Sequence, residues 1–174
     1  MPLIQTCTVE DPLHGVVIVH TDIDRGWIEV AGDGFPAVHL RRSDTAEVSQ
    51  YVPIGTRDPE HLTLTVEGAR AALSPGRGRF TRGSFRVDAH VDGVHYAFRP
   101  SDEDGSRLSR DGQRLGDLML EPETVELMAV WTPGAEVRRQ DAAVGYALAT
   151  AFGTGAESTL TMLVNTFSWA SYHN

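Results

Sequence analysis

Apolar and polar positions alternate most cleanly between Ser84 and Arg99, which read SFRVDAHVDGVHYAFR around a central Asp92-Gly93. A two-residue Asp-Gly loop favours the type I′ turn, whose twist matches that of paired strands. The turn therefore predicts a hairpin with Val91 opposite Val94, His90 opposite His95, Ala89 opposite Tyr96, Asp88 opposite Ala97 and Val87 opposite Phe98. Side chains alternate sides along a strand. Phe85, Val87, Ala89, Val91, Val94, Tyr96 and Phe98 then share one face, and Arg86, Asp88, His90, His95 and Arg99 the other.

Further strands follow from the same reasoning. Val16 to Val19 is a continuous apolar run that predicts burial on both sides, and Trp27 to Val30 returns from it after Asp24-Arg25-Gly26. Ala37 to Leu40, Val48 to Val52 and Leu62 to Val66 are strand candidates, with a short helical turn expected over Glu67 to Leu73. Asp111-Gly112 predicts a second hairpin that pairs Leu108 with Leu115, and Val125 to Trp131 is the last strand. Eight to ten short strands separated by turn signals, without long intervening helices, argue for an antiparallel barrel or sandwich.

The pattern changes at Asp141. DAAVGYALATAF, from Asp141 to Phe152, is apolar almost all round, with Asp141 as the expected N-cap and Gly153 as the stop. A helix without a polar face is buried, lipid-facing or an interaction element. It is too short for a bilayer, so packing against a curved sheet is expected. Leu160, Leu163, Val164 and Phe167 extend a helical spacing into the tail. The expected class is α+β, an antiparallel β-barrel or curved β-sandwich with one or two C-terminal helices. It forms a single domain over 1–174, with 1–140 mostly antiparallel β and 141–174 helical.

Composition narrows the function. The chain carries a net charge of −9 and a single cysteine, Cys7, near an end expected to be mobile. The charge argues against nucleic-acid binding through phosphate neutralisation, and one cysteine excludes a disulfide framework or a multi-cysteine zinc site. No leader-like segment opens MPLIQTCTVEDP and no run suits a membrane span, so a cytoplasmic protein without a transmembrane segment is expected. All basic residues are arginine, as a high-GC bacterial genome would produce. Arg70, Arg77, Arg79, Arg82 and Arg86 form a basic stretch before the central hairpin, and an acidic stretch from Asp102 to Glu126 follows it. A basic patch on an acidic protein suits an anionic ligand.

Three groups of residues could carry chemistry. Arg86, Asp88, His90, His95 and Arg99 on the polar hairpin face form a candidate ligand-binding set. Within it, His90 and His95 lie opposite each other with Asp88 one step along, an arrangement compatible with a divalent metal or with acid–base work. No other cofactor is expected. Asp22-Ile-Asp24-Arg-Gly26 resembles half a calcium loop but lacks the third acid and the glutamate, so a hairpin end is the better reading. Gly76-Arg-Gly-Arg and Gly153-Thr-Gly155 lack the strand–helix context of a phosphate loop. No G-x-S-x-G elbow occurs.

The many strands, the hairpin carrying Tyr96-Ala-Phe98, LSRDGQRLGDL from Leu108 to Leu118 and the late apolar helix have an order that resembles the tubby, LURP-one and phospholipid-scramblase group. In that group an antiparallel barrel encloses a hydrophobic C-terminal helix. The resemblance covers about the last half of the chain and implies a binding or membrane-associated module, with no residue role to transfer. Two function classes follow. The first is a non-catalytic binding or protein-interaction module, such as a subunit of a bacterial assembly, with a protein partner or a second copy held through 141–174. A small apolar or anionic ligand is compatible with it. The second is a small β-barrel enzyme acting on an apolar metabolite, metal-assisted through His90 and His95, which requires the polar hairpin face to look into a cavity.

Overall fold

Asp92 and Gly93 both have positive φ, 48° and 79°, as a type I′ turn requires. The flanking strands pair as the sequence predicts, from Val91 with Val94 out to Val87 with Phe98. The computed structural model describes residues 4–79, 81–102, 104–120 and 126–155. The expected helix over the tail from Leu160 to Phe167 lies outside these residues.

Around that hairpin the chain forms an 11-stranded antiparallel sheet in which sequence neighbours are spatial neighbours throughout. The strands are β1 (Gln5–Asp11), β2 (Gly15–Asp22), β3 (Trp27–Ala31), β4 (Val38–Arg42), β5 (Leu62–Val66) and β6 (Ala69–Pro75). They continue with β7 (Val87–Val91), β8 (Val94–Pro100), β9 (Gly105–Arg110), β10 (Gln113–Leu120) and β11 (Leu127–Trp131). The sheet curls until β11 lies beside β1, a nearly closed barrel. Helix α1 (Arg139–Phe152) lies inside it, and its residues from Asp141 to Phe152 are all buried. The uniformly apolar helix thus finds its solvent in the inward faces of the strands. Val17, Val30, Val38, Leu40, Leu64, Val87, Tyr96 and Leu108 are among the inward residues left with no exposed surface. At Gly145 the helix passes close to the wall. A Cβ there would stand 3.0 Å from Leu108 Cδ2 and 3.4 Å from Leu118 Cδ1.

Several local expectations are corrected. Val16 to Val19 is buried on one side only: Val17 and Val19 face the helix, while Val16 is 50% exposed, because the outer wall meets solvent. Glu67 to Leu73 is not helical. Glu67 and Gly68 take φ of 52° and 77° and turn the chain into β6, whose alanines pair with β5 and β7. Ladder bonds on both sides override their helix propensity. Val48 to Val52 lies in the long loop between β4 and β5, where Val52 and Ile54 are buried. The Ile54 N–H donates to the Ala151 carbonyl at 2.9 Å, so the loop closes the barrel under the end of α1. Leu108 faces Gly116 rather than Leu115, because a bulge between Arg114 and Gly116 takes up one residue and leaves Leu115 fully buried. Cys7 belongs to β1, paired with Val19. Of the final predicted strand, Val125 lies outside the described residues, and the strand begins at Leu127 rather than Glu126.

The helix starts earlier than Asp141. Its N-cap is Arg138, and Asp141, in the first turn, accepts the Arg138 N–H at 2.8 Å. The same carboxylate accepts the Tyr96 hydroxyl at 2.5 Å and is ion-paired with Arg110. These partners hold Asp141 inside the first turn rather than ahead of it. Burial, followed by the hydrogen bond to Asp141, pushes the Tyr96 hydroxyl pKa well above its ordinary value.

Candidate binding surface

The polar face of the central hairpin looks outward. His90, Arg86 and Arg99 are exposed and Asp88 and His95 half-buried, while Val87, Ala89, Tyr96 and Phe98 point at the helix. The structure does bring the five predicted residues together, with Asp88 at their centre. Its Oδ1 lies 2.8 Å from His95 Nε2 and 3.4 Å from Arg99, and its Oδ2 lies 3.7 Å from Arg86 Nε. Partial burial works to raise the Asp88 pKa. The His95 hydrogen bond and the Arg99 charge outweigh it, so the carboxyl sits below its ordinary value. The His90 and His95 rings stack with centroids 4.6 Å apart and planes 11° from parallel. Among the described residues no three His, Cys, Asp or Glu side chains are grouped so as to hold a metal ion. An enzyme that used this face from within the barrel would need it turned the other way, and α1 already occupies the interior.

Positive charge continues across the same outer wall. Arg99 is directly opposite Arg107 in the β8–β9 pair, and Arg107 opposes Asp117 in the β9–β10 pair. Asp117 is shared by Arg107 at 3.4 Å and Arg114 at 2.9 Å. The loop leading into β7 adds Arg77, Arg79 and Arg82, all exposed and none in an ion pair among the described residues. Of the basic stretch in the sequence, these three arginines lie beyond the end of β6, whereas Arg70 sits at its start, opposite Thr65.

Arg57 fixes this loop, and no local feature of the sequence marks it. Its guanidinium lies 5.3 Å from the Phe85 ring centroid and 5.5 Å from that of Phe152, and donates to the Gly76 carbonyl at 3.3 Å. Burial lowers its pKa to about 10. One side chain thereby ties the basic loop to the end of the buried helix. Its partners are distant in sequence, so only the folded chain assembles the contact. Gly78 has a φ of 67°, and a Cβ there would come within 2.8 Å of Arg57 Nε.

Other candidates serve the scaffold. The Asp22 carboxylate accepts the Arg25 N–H at 3.1 Å, closing the β2–β3 hairpin as expected. Cys7 faces inward and half-buried; burial, followed by the charge of Glu126, raises its thiol pKa. Residues 141–155, expected to offer part of a partner surface, are all buried, and 156–174 lie outside the described residues. Their lack of a polar face is met within the chain itself. No helix among the described residues is long and apolar enough to cross a membrane.

No protein-family model matches the chain, and none of the curated proteins or solved structures is significantly similar to it.

Proposed function

We propose that this chain is a non-catalytic binding module whose outer wall, from the loop at Arg77–Arg82 to Arg99 and Arg107, receives an acidic protein partner. The observation that carries the reading is three exposed arginines without acid partners among the described residues, in a chain of net charge −9. Unpaired arginines offer planar, multidentate donors to carboxylates, and such a patch speeds encounter with an acidic surface. The helix inside the barrel supports binding on the outside over chemistry within. The likeness to the tubby, LURP-one and scramblase group stays part of this proposal, as an argument for a binding role alone.

The test is fluorescence anisotropy of a labelled oligoglutamate peptide with wild-type chain and with the combined variant Arg77→Ser, Arg79→Ser, Arg82→Ser. Binding that weakens with added salt, as screening over about 8 Å at physiological ionic strength demands, and that disappears in the variant at unchanged melting temperature supports the proposal. Equal binding by both proteins, or salt-independent binding, refutes it. Retention on phosphatidylserine vesicles without peptide binding would replace the protein partner by a membrane surface.

A further inference from the structure

A groove lies on another part of the wall. Asp22, Trp27 and Arg41 are directly opposite one another on three successive strands, β2 to β4. Together with Ile4, the Arg25 turn and the start of the β4–β5 loop at Ser43 and Asp44, they line a half-open groove of about 550 Å³. That volume is within the range of small-molecule sites, roughly 300–1,000 Å³.

The lining combines apolar and charged side chains. Ile4, 55% exposed, and the half-buried Trp27 supply its apolar surface. Arg41 stands beside Trp27 on the neighbouring strand, exposed and without an ion pair among the described residues. Arg42, which also lines the groove, is only 7% exposed and spends its donors on carbonyls: Ile54 at 2.8 Å, Asp24 at 2.8 Å and Ile23 at 3.5 Å. Its buried charge has no carboxylate partner among the described residues. Of the two aspartates in the lining, Asp22 is already engaged by Arg25, with Nε 3.8 Å from Oδ2. Arg42 is thus turned away from the groove, and Arg41 offers it an exposed guanidinium directly opposite the Trp27 indole.

We propose that this groove binds a small monocarboxylate carrying an aromatic or branched apolar group. The apolar group lies against Trp27 and Ile4, and the carboxylate accepts hydrogen bonds from Arg41. A cation would meet the arginines, and a purely apolar ligand would leave Arg41 unused. Gly26 belongs to the design: with φ of 67°, a Cβ there would stand 2.5 Å from Arg42 Cβ. Only glycine lets the β2–β3 turn pass over that side chain. The groove shares no residue with the basic loop, so this inference stands apart from the proposed function.

The experiment is titration of the full-length, isotope-labelled chain with phenylacetate, read by the NMR shift of the Trp27 indole N–H. Phenylacetamide serves as the neutral analogue, and Arg41→Gln and Trp27→Leu as variants. Phenylacetate should give a saturable shift, and affinity should fall at least about tenfold for the amide and in Arg41→Gln, as loss of a charge-assisted hydrogen bond implies. Arg41→Gln should melt like wild type because Arg41 is exposed. Trp27→Leu, followed through the backbone amides of Arg25 and Arg41, should also weaken binding. No saturable shift, equal affinity for acid and amide, unaltered affinity in Arg41→Gln, or shifts confined to the basic loop would each overturn the proposal.

Discussion

Asp11 accepts the indole N–H of Trp131 at 2.9 Å, joining the first strand to the last across 120 residues of chain. The same carboxylate oxygen accepts the Tyr146 hydroxyl of the buried helix at 2.5 Å. Its other oxygen accepts the N–H groups of Leu13 and His14 at 2.9 and 3.0 Å, shaping the β1–β2 turn. No β1–β11 ladder forms among the described residues, so this one buried side chain clamps wall, helix and turn where backbone pairing stops.

Replacing Asp11 by Ala orphans a buried indole N–H and a buried hydroxyl. Loss of hydrogen bonds to a charged acceptor is expected to cost about 3 kcal/mol or more in urea denaturation. Hydrogen exchange should quicken first in β1 and β11. A loss under 1 kcal/mol with unchanged exchange there would show that Asp11 does not hold the seam.

The ion pair between Arg110, 8% exposed, and Asp141, fully buried, gives a different expectation. Removing one partner leaves the other charge stranded, at a cost of about 3–5 kcal/mol. Arg110→Met should reach that range. The double variant Arg110→Met, Asp141→Asn should recover part of the loss, because no net charge is then buried. Additive losses in the double-mutant cycle would contradict this coupling.

Alkaline stability follows from Tyr96 and Tyr146. Burial and then the aspartates beside them raise both hydroxyl pKa values well above 10.0, the unperturbed value. An unfolded tyrosine ionises near pH 10, while these two stay protonated in the fold. Their contribution is therefore complete below about pH 10 and is lost progressively above it. Ultraviolet titration should show two tyrosines ionising only as the chain unfolds. Smooth titration of every tyrosine in the folded state would contradict the raised values.

Asp88 acts at the acid end. Its folded pKa lies below the ordinary 3.8, so its contribution is present above that value and fades as pH falls through the folded one. Asp88→Asn should lower the melting temperature at neutral pH, with the gap to wild type closing as the pH falls below 3.8. A gap that persists at low pH would point to lost packing instead of lost charge.

Short-range rules carried much of this architecture. The Asp92-Gly93 turn set the register of the central hairpin, because a two-residue loop leaves one pairing that buries Val87, Ala89, Tyr96 and Phe98 together. The uniformly apolar stretch before Gly153 required a buried helix for the same reason. Those patterns also grouped Arg86, Asp88, His90, His95 and Arg99 on one face, since alternation along paired strands is a local property.

Which way that face looks was a tertiary decision. A hairpin is amphipathic whichever side a core is built on, and only the helix inside the curled sheet turned its polar face to solvent. The β6 alanines became strand because partners on both sides outweighed their preference. Arg57 found its two rings and Asp11 its indole through closure of the barrel. Such contacts join positions far apart in sequence, and no window along the chain contains both partners. The sequence by itself determined strands, turns and a buried helix; tertiary structure decided inside from outside, and so where a partner can bind.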